Sequence, residues 1–165
     1  MAFDAYLEID GIPGESTDSN HAGWIEIRGY THNIIQPVAA SKSSGGSRAS
    51  EKANHGDLVV TKELDKASPK IALACCNGSN LATVKLELCR ATGNKETYMS
   101  IELTDVLVAA YEPHGQTADE GALPRERVAF NYGTIKWTYT HLDQATGASQ
   151  GNIETHWNQI DNTGG

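Results

Sequence analysis

Apolar and polar residues alternate with a period of two along most of the chain. Phe3, Ala5, Leu7 and Ile9 share one face of the opening segment, with Asp4, Tyr6, Glu8 and Asp10 on the other, which predicts a half-buried strand. Gly11-Ile12-Pro13-Gly14 breaks it. A second strand is predicted from about Gly23 to Ile35, with Ile25 and Ile27 opposed to Glu26 and Arg28 and Pro37 closing it. Leu58-Val59-Val60-Thr61 predicts a third, short strand. Leu81 to Arg90 and Met99 to Leu103 alternate on either side of Thr92-Gly93-Asn94-Lys95, the pattern of a hairpin. Val106 to Ala110 is apolar on both faces, which predicts a bend or a strand covered on both sides. Val128, Phe130 and Tyr132 occupy even positions, whereas Ile135, Trp137 and Tyr139 occupy odd ones. That slip of phase at Gly133 is how a β-bulge reads in sequence. A last strand is expected over about Asn152 to Ile160, anchored by Ile153 and Trp157.

One stretch departs from this period. Ser68 is placed to N-cap a helix, and Pro69 suits its first position, where a missing N–H costs nothing. Ile71 to Cys76 is wholly apolar, and Asn77-Gly78 supplies a left-handed stop. One short, closely packed helix over about residues 65–77 is therefore expected across a β-rich body of roughly eight strands. The class is mainly β, an antiparallel barrel or two-sheet barrel, in a single domain spanning residues 1–165. A long connection, roughly Gln36 to Gly56, joins the second and third strands. Its centre, Ser41 to Ser50, is half serine with no large apolar side chain. Such a segment has nothing to bury in return for being ordered, so it is expected to be flexible alone and to order against a partner.

Composition narrows the function classes. The formal charge is −8 with a sequence pI near 5.1, which argues against nucleic-acid binding, because that rests on neutralising phosphates. No apolar run approaches the roughly 20 residues of a membrane span. The first residues carry Asp4 and Glu8 and no basic region, so no cleaved signal peptide is expected. The three cysteines, Cys75, Cys76 and Cys89, are expected as reduced, buried thiols.

Catalytic patterns fail in turn. Gly147-Ala148-Ser149-Gln150-Gly151 matches G-x-S-x-G, but polar Asp143, Gln144 and Thr146 precede it and a strand-like segment follows, so the strand–turn–helix of a nucleophile elbow is missing. His21, His32, His55, His114, His141 and His156 include no pair at zinc-ligand spacing, and each is expected at a surface or interface. Asp57, Glu63, Asp65, Glu102 and Asp105 are best explained as solvated strand faces. Trp24, Trp137 and Trp157 are expected in the core. No enzyme, cofactor or metal is expected.

Several stretches, in order, carry a resemblance. Phe3-Asp4-Ala5-Tyr6-Leu7-Glu8-Ile9-Asp10-Gly11-Ile12-Pro13-Gly14-Glu15-Ser16, then His21 and Trp24-Ile25-Glu26-Ile27, resemble the N-terminus of the haemolysin-coregulated protein (Hcp) family, the inner-tube subunits of bacterial type VI secretion systems. Thr61-Lys62-Glu63-Leu64-Asp65-Lys66-Ala67-Ser68-Pro69 is similar to that family's strand-to-helix passage, with Cys75-Cys76-Asn77-Gly78 as the helix exit. Glu102 to Val108 and Phe130 to Ile135 sit where the family has later strands. The resemblance implies a barrel-like fold akin to phage tail-tube proteins, homohexameric rings, and rings stacked into a tube. It also implies export from the bacterial cytoplasm without a cleaved signal, and sheath, spike and effector proteins as partners. On it, Ser41, Lys42, Ser43, Ser44, Gly45, Gly46, Ser47 and Arg48 are the candidate ring-stacking loop, and Thr31 is the candidate lumen residue. Rival readings are a monomeric ligand-binding barrel and a secreted hydrolase using Ser149.

Overall fold

The computed structural model describes residues 2–39, 51–91, 93–117 and 120–165. In chain order they form β1 (Phe3–Ile9), β2 (Ile25–Ile27), β3 (Gly29–Thr31), β4 (Ile34–Ile35), β5 (Asn54–His55), β6 (Leu58–Glu63), α1 (Ser68–Asn77), β7 (Leu81–Arg90), β8 (Thr97–His114), β9 (Arg125–Leu142), β10 (Ser149–Asn158) and β11 (Thr163–Gly164). The candidate stacking residues Ser41 to Arg48 lie outside the described residues.

Every ladder is antiparallel. The main sheet runs β11-β10-β9-β8-β7-β1-β2, and β9 also pairs β6, which pairs β3. β8 and β9 are 18 residues each, long enough to serve two layers. The strand expected from Gly23 to Ile35 is divided. β2 pairs β1 and β3 pairs β6, and the Arg28 N–H between them donates to the Thr61 carbonyl at 2.7 Å. The chain thus wraps into two layers around one core, with this crossing as the seam in place of a continuous closed ladder. Leu7, Ile25, Leu58, Val60, Leu86, Leu103, Phe130 and Ile135 are fully buried between the layers.

The slip at Gly133 takes a different form from a bulge. Thr104 pairs Thr134 and Val106 pairs Tyr132, so register is kept across this point. The partner strand slips with it. Leu103 and then Val106 are buried, and Asp105 between them has φ 54°. A Cβ on Gly133 would lie 2.9 Å from Asp105 Oδ2. Both strands turn over together there, passing from one layer to the other, and the bulge lies instead between Val108 and Ala110 on β8. Within Val106 to Ala110, Val106 and Val108 are buried while Leu107 and Ala109 are exposed, so this run is covered on one face and not on both.

The helix begins one residue earlier than a Ser68 cap requires. Ala67 holds the cap position without a side-chain cap bond. Instead Asp65 Oδ1 accepts from the Ala67 N–H at 3.0 Å, and the Ser68 hydroxyl turns inward to Glu126 Oε2 at 2.9 Å. The C-terminus follows expectation, with Gly78 left-handed at φ 62°. Among the described residues only one side of α1 is covered. Ile71 and Ala74 are buried, while Leu73 is 60% exposed and Cys76 is exposed. Of the thiols only Cys89 is buried, and the three tryptophans are half-buried, not core.

Candidate functional site

The apolar face that lines the core does not stop where the core stops. Register carries Leu103–Ile135–Trp157 into Ile101–Trp137–Thr155 and then Met99–Tyr139–Ile153 across β8, β9 and β10. Ile135 is buried, Trp137 half-buried and Tyr139 45% exposed. Ile153, expected as an anchor of the last strand, is on this face and is 69% exposed. It anchors nothing among the described residues. From Ser149 to Thr155 every residue of β10 is exposed. β9 pairs one side of that strand, while β11 and the following Gly165 reach only Asn158, Trp157 and His156. Among the described residues the other edge is therefore open over most of its length, the kind of edge that a neighbouring chain covers. Beside it a groove of about 540 Å³ is lined by Ile34, His55, Trp137, His156 and Trp157 among others.

The solvent faces of the two layers differ. On the β1–β7–β8–β9–β10 layer, Glu8, Lys85, Glu102, Lys136 and His156 stand directly opposite one another across five strands. Opposite charges on facing positions favour this register. On the other layer Thr31 is exposed at the end of β3, opposite Val59, which is opposite Ala129. The next rung on that face is Gly29, Thr61 and Arg127, whose guanidinium lies 3.7 Å from Glu112.

Three polar centres, two buried and one half-buried, tie the elements together, and sequence spacing announced none of them. At the first, Lys62 Nζ meets Glu126 Oε2 at 2.7 Å and Asp65 Oδ1 at 2.9 Å. Tyr111 donates to Glu126 Oε1 at 2.6 Å. Burial pushes the Glu126 carboxyl up, but the bonds from Lys62, Tyr111 and Ser68 outweigh it and hold the group below its ordinary 4.5. This centre ties α1 to β6 and β9.

His21, expected at a surface, is instead buried. Its Nδ1 lies 2.9 Å from Asp18 Oδ2 and its Nε2 2.7 Å from Glu87 Oε2, with Tyr6 stacked on the ring at 4.3 Å. It fastens the loop after β1 to β7. The third centre joins His32 and His55 on the hydroxyl of Tyr132. Burial pushes both imidazoles below 6.5, and for His32 the neighbouring His55 adds to this.

None of these is arranged for catalysis. Cys89 Sγ is 3.8 Å from His21 Nε2, which with Asp18 makes a Cys–His–Asp set. However, Glu87 already occupies that nitrogen, and burial raises the thiol above its ordinary value, the opposite of an activated cysteine. Ser149 begins β10, and its Oγ accepts from the Gly151 N–H at 3.4 Å; a strand follows it, not a helix. Asp57 accepts from Asn131 Nδ2, Glu63 pairs Arg28 and Asp105 accepts from Asn80 Nδ2. These carboxylates are spread over separate contacts. Among the described residues no group of three or more His, Cys, Asp or Glu could hold a metal ion.

Comparison with known proteins agrees with this geometry. The family model described as "Type VI secretion system effector, Hcp" matches residues 6–139. Protein hcp1 of Pseudomonas aeruginosa is 31% identical over 160 residues, 96% of each chain. A solved structure of a type six secretion system protein superposes with a TM-score of 0.92 at 34% identity, covering 99% of this chain and 100% of that one. Hcp1 from Salmonella typhimurium gives a TM-score of 0.78 at 30% identity, covering 99% of both chains. The chain belongs to the Hcp family of type VI secretion proteins.

Proposed function

We propose that this chain is the structural subunit of a type VI secretion tube, working by assembly and not by catalysis. The observation that carries this is the core-like stripe running out through Trp137 and Tyr139 to Ile153 on an open strand edge. An apolar face built on core geometry but left to solvent is explained by a second copy that covers it. The surface that meets it on the next copy is a different one, so the contact is head-to-tail and closes into a ring. Six copies complete that ring, as in the family.

The connection around Ser41–Arg48 stacks one ring on the next, and Thr31 faces the lumen, where cargo proteins are held. Sheath, spike and effector proteins are the remaining partners, and the tube leaves the bacterial cytoplasm without a cleaved signal. A ligand-binding barrel is not favoured, because side chains fill the space between the layers. Native mass spectrometry of the purified protein, with negative-stain imaging, tests the proposal. A six-subunit ring with an open centre is expected; a strict monomer at high concentration overturns it.

A further inference from the structure

Two histidines from opposite ends of the long connection meet on one phenol oxygen. His32 follows β3 and His55 ends β5, so they stand at the two feet of the stem formed by β4 and β5. Tyr132 Oη, on β9, lies 2.7 Å from His32 Nε2 and 2.9 Å from His55 Nδ1. The backbone beside them is tightly closed. The Gly56 N–H donates to the Asn33 carbonyl at 2.9 Å, and a Cβ at Gly56 would fall 1.8 Å from Asn33 Oδ1.

A phenol carries one proton and can accept through its lone pairs, whereas a neutral imidazole offers one N–H and one bare nitrogen. With both rings neutral, Tyr132 donates to one and accepts from the other, and all three groups are satisfied. Protonating the accepting ring makes it a second donor, which leaves the phenol proton without a partner. Protonating the other ring sets a cation beside a second imidazole in a half-buried site. Burial, with the Asp57 charge behind it, pushes the Tyr132 hydroxyl well above its ordinary value, so it stays a phenol. Asp57 itself is engaged by Asn131 Nδ2 at 3.0 Å, and Glu51, Lys52 and His156 share the groove with His55. The β8 neighbour of Tyr132 is uncharged Val106.

We propose that His32, Tyr132 and His55 form an acid-sensitive latch that docks the stem of the long connection on β9 and releases it in mild acid, loosening the ring-to-ring contact. The last clause rests on the stacking role given above to the connection; the latch does not. The sign follows from linkage. Both folded imidazoles sit below their unfolded value of 6.5, so docking is fully favoured above about pH 6.5 and weakens as pH falls from there towards the folded values, by up to about tenfold per unit for each histidine.

Hydrogen exchange of the full-length assembled protein at pH 7.5 and 5.0, corrected for the intrinsic pH dependence of amide exchange, reads this directly. Exchange of the Ile34–Ile35 and Asn54–His55 amides should rise about tenfold or more in acid while the β7–β8 hairpin stays unchanged. The double variant H32Q/H55Q, whose amides do not titrate, should lose that response. An acid-insensitive stem in the native protein, or an undiminished response in the double variant, overturns the latch. Should that variant not fold, histidine ring titration by NMR of the native protein decides. Midpoints below 6.5 at both rings support the latch, and a midpoint at or above 6.5 at either ring overturns it. Native mass spectrometry at both pH values separates the two ideas. A stem that opens while stacked rings persist keeps the latch and removes the stacking role; a stem that stays closed removes the latch whatever the rings do.

Discussion

Lys62 is a cation with no solvent contact, and Glu126 Oε2 at 2.7 Å and Asp65 Oδ1 at 2.9 Å are the reason it can be there. Replacing one member of a buried pair leaves the other uncompensated, at a cost of about 3–5 kcal/mol. Lys62→Met should therefore lower the free energy of unfolding by that amount in a denaturant titration, and K62M/E126L should recover most of it. Equal losses in the single and double variants would show that packing, not charge, decides at this site. Acid acts on the same centre. Glu126 is held below its ordinary 4.5, so its contribution is present above about pH 4.5 and lost as pH falls below it. Nothing in the local sequence marks this pair, because Lys62 and Glu126 are 64 positions apart. Ser68 was legible as a helix start but not as a ligand of Glu126, and that contact is why it does not cap. The histidines were illegible for the same reason. Local spacing finds metal pairs on one helix or strand, whereas His21 reaches Glu87 across 66 positions and His32 reaches Tyr132 across 100.

At the scale of elements, α1 shows what periodicity can and cannot give. Six consecutive apolar residues, Ile71 to Cys76, have no polar stripe to say which side faces in. The structure chooses Ile71 and Ala74 and leaves Leu73 outward. Ile71→Ala should cost about 2–4 kcal/mol through lost burial and a residual cavity, and Leu73→Ala about 0.5 kcal/mol or less. Thermal unfolding of both variants checks this. A comparable loss for Leu73→Ala would mean that another chain covers the outer side of the helix in the assembled protein. The strands were easier, because alternation alone fixes which side is in. Their number and the handover between layers were not. Gly133 betrayed the slip, but its compensation by Asp105 lies on another strand, and only pairing reveals that register survives.

Over the whole molecule, the alternation that identified the last strand also misled about where its anchor sits. Ile153 has the right parity for a core residue and faces the same way as Trp157, yet no described residue of its own chain covers it. A sequence pattern reports which face is apolar, not which chain buries it. Substituting a charge there separates the two. Ile153→Glu places a carboxylate at a position 69% exposed in the isolated chain, where solvation makes it nearly neutral for folding, within about 0.5 kcal/mol. In an assembled ring the same carboxylate would be desolvated against a neighbouring chain without a partner, and such a group costs several kcal/mol per contact. The cost repeats at every interface around the ring. The variant should therefore keep its circular dichroism and unfolding midpoint measured as a monomer, while native mass spectrometry shows the ring reduced to single subunits. Ile153→Val, which keeps the apolar surface, should leave the ring intact. A charged variant that still forms complete rings would place the interface elsewhere, with the exposed edge of β8 around Leu107 as the next surface to test.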